Sequence, residues 1–185
     1  MVVDGGAYDF LAAPSWEVAP LLLGWLLTTE LDGVRTSIEL TEVEAYDQND
    51  PASHSYRGPT ARTATMFGPP GVLYVYRSYG IHWCVNIVTG PPGHGAAVLL
   101  RAGRPTEGVD RMIERRGRSD HIADGPGKLT QALGITGDDD GVDATSGGTV
   151  RLIPGTGAPT PFVGVRVGIT KAVSVPWRFF WSPSE

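Results

Sequence analysis

The chain has 185 residues, 41% of them apolar, enough to bury one core and to form a single domain over 1–185. Its net charge of −5 argues, taken as an average, against a nucleic-acid partner, and its only cysteine, Cys84, excludes a disulfide framework or a cysteine-built zinc site. The average hides an asymmetry: residues 1–50 hold ten acids and one base, Arg35, whereas residues 51–106 hold five arginines (Arg57, Arg62, Arg77, Arg101, Arg104) and no acid.

Pro14-Ser15 and the apolar-rich segment to about Leu27 predict a short helix, with Ser15 as N-cap and Pro20 as an interruption. The run Leu21–Leu27 is broken by Gly24 and far too short to span a bilayer. Asp4 and Asp9, with no basic segment before them, predict no secretory leader, hence a soluble, cytoplasmic protein. Leu31-Asp32-Gly33 is a turn signal between two extended segments. The second, Val34 to Tyr46, alternates, so Glu42, Glu44 and Tyr46 are expected to continue the face of Ile38 and Leu40. Residues 47–70 read as a long irregular stretch.

Val72–Ser78 and Ile81–Thr89 are β-rich runs separated by Tyr79-Gly80, which predicts a protruding hairpin. Ala96–Ala102 predicts another strand, Thr106–Arg116 a helix, and Lys128–Leu133 a second helix introduced by Gly125-Pro126-Gly127 and ended by Gly134. Thr149–Ile153 and Val163–Thr170 complete the expected strands. The fold class expected is α+β: a curved, mostly antiparallel sheet with surrounding helices.

Several residues carry chemistry. Glu44 and Tyr46 lie two apart on one strand, so their side chains emerge on the same face. An acid on an apolar face is costly to bury without a task or a partner, although a face that turns to solvent would make Glu42 and Glu44 ordinary surface acids. His54 lies in the following loop, where a histidine serves surface hydrogen bonding as readily as function. Tyr74 and Tyr76 share a strand face and suit either core or pocket. Tyr79 falls at the hairpin tip, where a ring has little core to reach and has the shape of a wedge for a base stack. The arginine-rich, acid-free stretch can form one phosphate-facing surface or scatter as solvated charges. The four histidines show no metal-ligand spacing, and no metal or organic cofactor is expected.

Thr41-Glu42-Val43-Glu44-Ala45-Tyr46, His54-Ser55, Met66-Phe67, the run Leu73 to Gly80, Cys84-Val85-Asn86, Val98 to Ala102, Gly125 to Leu129 and Arg166-Val167-Gly168 together resemble the 3-methyladenine (alkyladenine, methylpurine) DNA glycosylase family. They occur in the family's order from about residue 20 to 180. The resemblance implies a monofunctional enzyme that excises alkylated or deaminated purines flipped out of double-stranded DNA, and a single domain that clasps DNA is expected to act as a monomer. Glu44 matches the general base that activates water against C1′. Arg101 matches the arginine beside that water and the target phosphate. Tyr46 and His54 match the pair that sandwiches the extruded base, Tyr76 the ring on its edge, and Asn86 the residue that crowds the exocyclic amine of guanine. Tyr79 matches the residue that fills the vacated space in the duplex. Gly168 and Lys128 are assigned to DNA contact, with capping or a surface charge equally explaining Lys128.

Strand cleavage through a Schiff base requires an amine, and the two lysines, Lys128 and Lys171, lie outside the pocket motifs. An intact abasic product is therefore expected. Departures from the pattern are the eight-residue spacing from Tyr46 to His54, and Arg62-Thr63 where the family commonly has Arg-Asn, which is expected to weaken a loop hydrogen bond. Two rival readings are a carbohydrate hydrolase using Glu42 and Glu44, which cannot easily flank one bond from a single strand face, and a DNA-damage binding module without turnover.

Overall fold

The computed structural model describes residues 5–155, 157 and 160–182; Asp4 lies outside them. Asp32 and Gly33 take positive φ (53° and 71°) and turn β1 (Leu26–Leu31) into β2 (Val34–Tyr46), an antiparallel pair in which Leu31 faces Val34. The helix α1 (Ser15–Leu22) precedes it and is shorter than its apolar run. Gly24, at φ 80°, redirects the chain, so Leu26 and Leu27 belong to a strand. Ser15 is the first helical residue and not the cap; Pro14 holds that position without a side-chain bond, and the Ser15 hydroxyl is buried with no partner.

β2 is the spine of the sheet. Its first half pairs with β1, its other edge with β5 (Ala97–Glu107), and Glu42–Glu44 with β8 (Arg178–Phe180). β5 continues to the hairpin of β4 (His82–Val88) and β3 (Leu73–Ser78), while β1 continues to β6 (Val150–Ile153). β7 (Phe162–Gly164) caps β8. All these pairings are antiparallel, and α1, α2 (Val109–Arg116) and α3 (Pro126–Leu133) surround the curled sheet, giving the α+β class.

One face of this sheet is the main core, built from Ile38, Leu40, Val43, Ala45, Leu73, Val75, Val85, Ile87, Val98 and Leu100 against α1, α2 and α3. The core residues of β2 are even-numbered up to Leu40 and odd-numbered from Val43. The register explains this. Leu40 pairs with Gly103 and Glu42 with Ala102, so Thr41 is an extra residue on β2; Val43 then pairs with Leu100, leaving Arg101 extra on β5. Two opposed bulges exchange the faces of β2 between Leu40 and Val43. Glu42, Glu44 and Tyr46 therefore do not continue the face of Ile38 and Leu40; they occupy the opposite one.

The C-terminal strand expectation also changes. Only Phe162–Gly164 is strand, and residues 165–177 run as turns and irregular chain. Here Arg166 is buried while Val163, Val165 and Val167 are exposed, the reverse of what their hydropathy indicates.

Candidate active site

On the face away from the main core, β2, β5, β4 and β3 contribute Tyr46, Leu99, Arg101, Cys84, Asn86, Tyr74 and Tyr76 to a pocket of about 690 Å³. The stretch 47–70 supplies His54, Arg62 and Met66, and the segment 167–171 closes the remaining wall. Short side-chain bonds give the irregular stretch its shape: His94 to Asp47 (2.7 Å), Ser53 to Ser55 (2.7 Å) and Ser55 to the Gly95 carbonyl (2.7 Å). In this loop the Thr63 hydroxyl accepts from the Thr60 amide at 2.9 Å.

Glu44 is fully buried beside the pocket. Its Oε1 accepts from the Val167 amide at 2.7 Å, its Oε2 accepts from the Tyr46 hydroxyl at 2.8 Å, and Arg101 Nη1 lies 3.4 Å from Oε2. The bulge at Arg101 aims its guanidinium at two carboxylates, since Nε also donates to Glu42 at 2.7 Å. Burial alone would raise the Glu42 carboxyl, but hydrogen bonds from Arg178 and Arg101 outweigh it and hold the group below its usual range. Burial likewise works against the Arg101 cation, and Glu44 and Glu42 more than compensate. Burial and then the Glu44 charge push the Tyr46 phenol far up, so it stays a donor.

The aromatic wall is continuous. His54 meets Tyr76 edge-on with ring centroids 4.6 Å apart, and Tyr74 stacks on Tyr76 at 5.5 Å. His54 Nδ1 is 3.1 Å from the Tyr74 hydroxyl, a phenol that burial pushes up to about 12. Although His54 is exposed at the rim, cover on one side of its ring, followed by the Arg62 charge, lowers its proton affinity. Asn86 is buried, and its amide donates to the Tyr74 carbonyl at 2.9 Å. Cys84 is buried on this pocket face and not in the main core.

Tyr79 and Gly80 both take positive φ (50° and 69°), the backbone of a tight hairpin turn, closed by the Ile81 amide on the Ser78 carbonyl at 3.0 Å. Tyr79 is 91% exposed and Ile81 68% exposed. Ile81 was not singled out from the sequence, because an isoleucine flanking a turn reads as strand.

The pocket brings together Tyr46, His54, Tyr76, Tyr79, Asn86, Arg101 and Gly168, with Glu44 behind them. Lys128 is not in this set; its Nζ is held by Asp124 at 2.8 Å. The Gly-Pro-Gly segment before it is explained by packing: Pro126 lines the pocket, and a Cβ on Gly127 would meet His82 at 2.8 Å. Lys171, by contrast, does line the pocket and is exposed. It lies three residues beyond the Arg166-Val167-Gly168 motif, and the irregular chain there brings it to the pocket. Gly168 lines the wall with φ 74° in a turn that favours glycine.

Part of the charge asymmetry of the sequence is strand pairing. Acids of β2 and its continuation meet arginines: Glu39 with Arg104, Glu42 with Arg101 and Arg178, Asp50 with Arg166. Arg57, Arg62 and Arg77 form no ion pair among the described residues. No helix of the described residues is long and apolar enough to cross a membrane.

A buried carboxylate with a neutralising arginine is thus set behind an aromatic pocket, beside an exposed aromatic hairpin tip. The chain matches the model of the methylpurine-DNA glycosylase family over residues 9–185 and belongs to that family. Among its relatives are proteins provisionally named 3-methyladenine DNA glycosylase. One from Rhodopseudomonas palustris (strain HaA2) is 52% identical, over 92% of this chain and 83% of its own. One from Nitrosospira multiformis is 49% identical, over 97% and 91%. One from Methanoculleus marisnigri is 51% identical, over 91% and 90%. The protein is thus a hydrolase of the DNA glycosylase type, and its substrate is DNA.

Proposed function

We propose that residues 1–185 act as one monomeric, monofunctional glycosylase in the cytoplasm, taking a damaged purine out of duplex DNA into this pocket and leaving an abasic site. The observation that carries the reading is Glu44: fully buried, yet fixed by a backbone amide, a phenol and a guanidinium beside an aromatic pocket. A carboxylate has about four acceptor positions. Val167 and Tyr46 occupy two, leaving capacity for a water. Because the residue is closed to solvent, that water enters as the surrounding side chains yield to substrate. Glu44 then takes its proton as it attacks C1′ and steadies the positive sugar while the base departs.

Tyr46, His54 and Tyr76 would grip the extruded base by stacking, with additional cation–π attraction for a positively charged alkylated purine such as 3-methyladenine. Deaminated purines such as hypoxanthine are neutral and depend on stacking alone. Asn86, anchored through its amide to the Tyr74 carbonyl, holds its position on the pocket floor and would exclude guanine's exocyclic amine. Tyr79 would fill the gap left in the duplex. Arg101 is committed to Glu42 and Glu44, so its role is to hold the catalytic carboxylate; Gly168 shapes the wall. Lys128 would serve DNA only by giving up Asp124. Lys171 is an amine at the pocket, but it is exposed and lacks the desolvated setting that activates catalytic lysines.

The test is a labelled duplex carrying hypoxanthine or 3-methyladenine, incubated with protein and then treated with alkali or with borohydride. Breaks that appear only after alkali, with no borohydride-trapped adduct, are expected, and Glu44→Gln should abolish them while still binding. Tight binding with no base released would establish the damage-binding module instead. A trapped adduct lost in Lys171→Gln would overturn the monofunctional assignment.

A further inference from the structure

Arg166 is the most completely enclosed cation of the described chain, with none of its side chain exposed, and its Asp50 partner is nearly as buried at 2%. Its two terminal nitrogens grip both oxygens of Asp50, and Nη1 also donates to the Ala45 carbonyl at 2.9 Å. The guanidinium carbon lies 4.7 Å from the Tyr46 ring centroid and 5.3 Å from that of Trp177. Trp177 in turn stacks on Trp16 of α1 at 5.0 Å. The next residue, Val167, donates its amide to Glu44.

Burying an ion pair this deeply is a poor way to gain stability, since the desolvation cost consumes most of the attraction. What this pair does supply is geometry. Arg166 holds the residue between Glu44 and Tyr46 by its carbonyl, packs on the Tyr46 ring, and fixes the chain at Val167. Three of its contacts therefore converge on the two side chains that the proposed reaction uses, although Arg166 itself does not line the pocket.

We propose that Arg166, locked by Asp50, is a positioning residue that sets the Val167 amide and the Tyr46 ring about the Glu44 carboxylate. The inference rests on the glycosylase reading for its kinetic consequence, but not for its structural one. Misplacing a catalytic group by about 1 Å from a distance costs on the order of 10²-fold in rate. Arg166→Met should lower the single-turnover excision rate, measured with enzyme in excess, by that order. Affinity for the lesion duplex should change far less, and Arg166→Lys should recover only part of the rate, because an ammonium cannot form the fork.

Arg166→Met alone strands the Asp50 carboxylate and lowers the melting temperature, so the decisive variant is Arg166→Met with Asp50→Leu. Replacing both charges removes the stranded carboxylate, and only the Ala45 carbonyl and the Ala52 amide then lack their former partners. The expected result is a melting temperature well above that of Arg166→Met with the rate still depressed. Recovery of the rate together with stability would overturn the proposal and leave the pair a structural strut. Hydrogen exchange supplies a readout without catalysis: the Val167 amide should be protected in the wild type and exchange faster in the stable double variant. Unchanged protection would also overturn it. If the wild type excised no base, the glycosylase reading would fail, and the exchange measurement would still decide the placement of Val167.

Discussion

The pocket floor and the hairpin tip are built on neighbouring strands and follow opposite rules. On the floor, Glu44, Asn86 and Arg101 are buried or half-buried, and each has a partner within the protein. At the tip, Tyr79 and Ile81 expose most of their surface. Groups fixed in advance serve a reaction whose transition state they must meet without rearrangement. An exposed ring on a tight turn contributes nothing to the free protein and gains its contacts only from an external partner. Disruption of the floor should therefore be read in rate and stability, and disruption of the tip in affinity.

The largest separation is expected from Glu44→Gln. Loss of the general base should reduce single-turnover excision by about 10²–10⁴-fold, with lesion-duplex affinity within a few-fold of wild type in a gel-shift titration. A parallel loss of affinity would place Glu44 in binding and collapse the distinction between the two regions.

Tyr79→Ala is the converse experiment. Loss of one stacking contact costs about 1–3 kcal/mol, so affinity for the lesion duplex should weaken by roughly one to two orders of magnitude. The melting temperature should not move, because a residue 91% exposed has no packing to lose. A destabilised Tyr79→Ala protein would show that the tip serves the fold.

Asn86→Ala addresses the floor again with a smaller effect on the chemistry. The Tyr74 carbonyl loses its side-chain donor while the strand pairing with Asn86 remains, at a cost of about 0.5–1.5 kcal/mol of stability. Urea denaturation should detect that loss. Excision from undamaged guanine should rise, and an unchanged preference against guanine would remove Asn86 from discrimination.

How far these regions could be read from the sequence follows the same division. The tip was legible: two β-rich runs about Tyr79-Gly80 require a turn, and a turn leaves its ring outside. The identities of the floor residues were legible through their motif, but their placement was not. Alternation through β2 puts Glu44 on the core face, and only the paired bulges at Thr41 and Arg101 move it to the pocket. A bulge is a property of two strands in register, and neither strand announces it alone. The segment 163–170 was misread for a related reason. Its valines alternate as a strand should, yet Arg166 is the residue taken inside, because Asp50 and the Ala45 carbonyl receive it there. Periodicity weighs each side chain by its own hydropathy and has no access to a partner 116 residues away.

His54 lies between the two regimes, exposed at the rim yet in contact with the aromatic wall, and it sharpens the comparison through pH. Partial cover of its ring and then the Arg62 charge lower its proton affinity in the folded protein below that in the unfolded chain, near 6.5. Between the folded and unfolded values the unfolded chain binds more protons, so stability rises with pH across that window. Acidification from pH 7 should accordingly erode stability through the unfolded value and stop contributing once the folded value is passed. His54→Gln should lose that share of the slope in urea denaturation series between pH 7 and pH 5. The effect is expected to be the smallest of those considered, since the ring's exposed side lets solvent screen its charge. The same protonation places a cation beside the pocket, where it opposes a cationic alkylated base more than a neutral one. Binding of duplex containing 3-methyladenine should thus fall faster with acidification than binding of duplex containing hypoxanthine, and His54→Gln should remove the difference. Equal slopes for the two lesions in the wild type would show that His54 touches neither base closely and belongs with the rim.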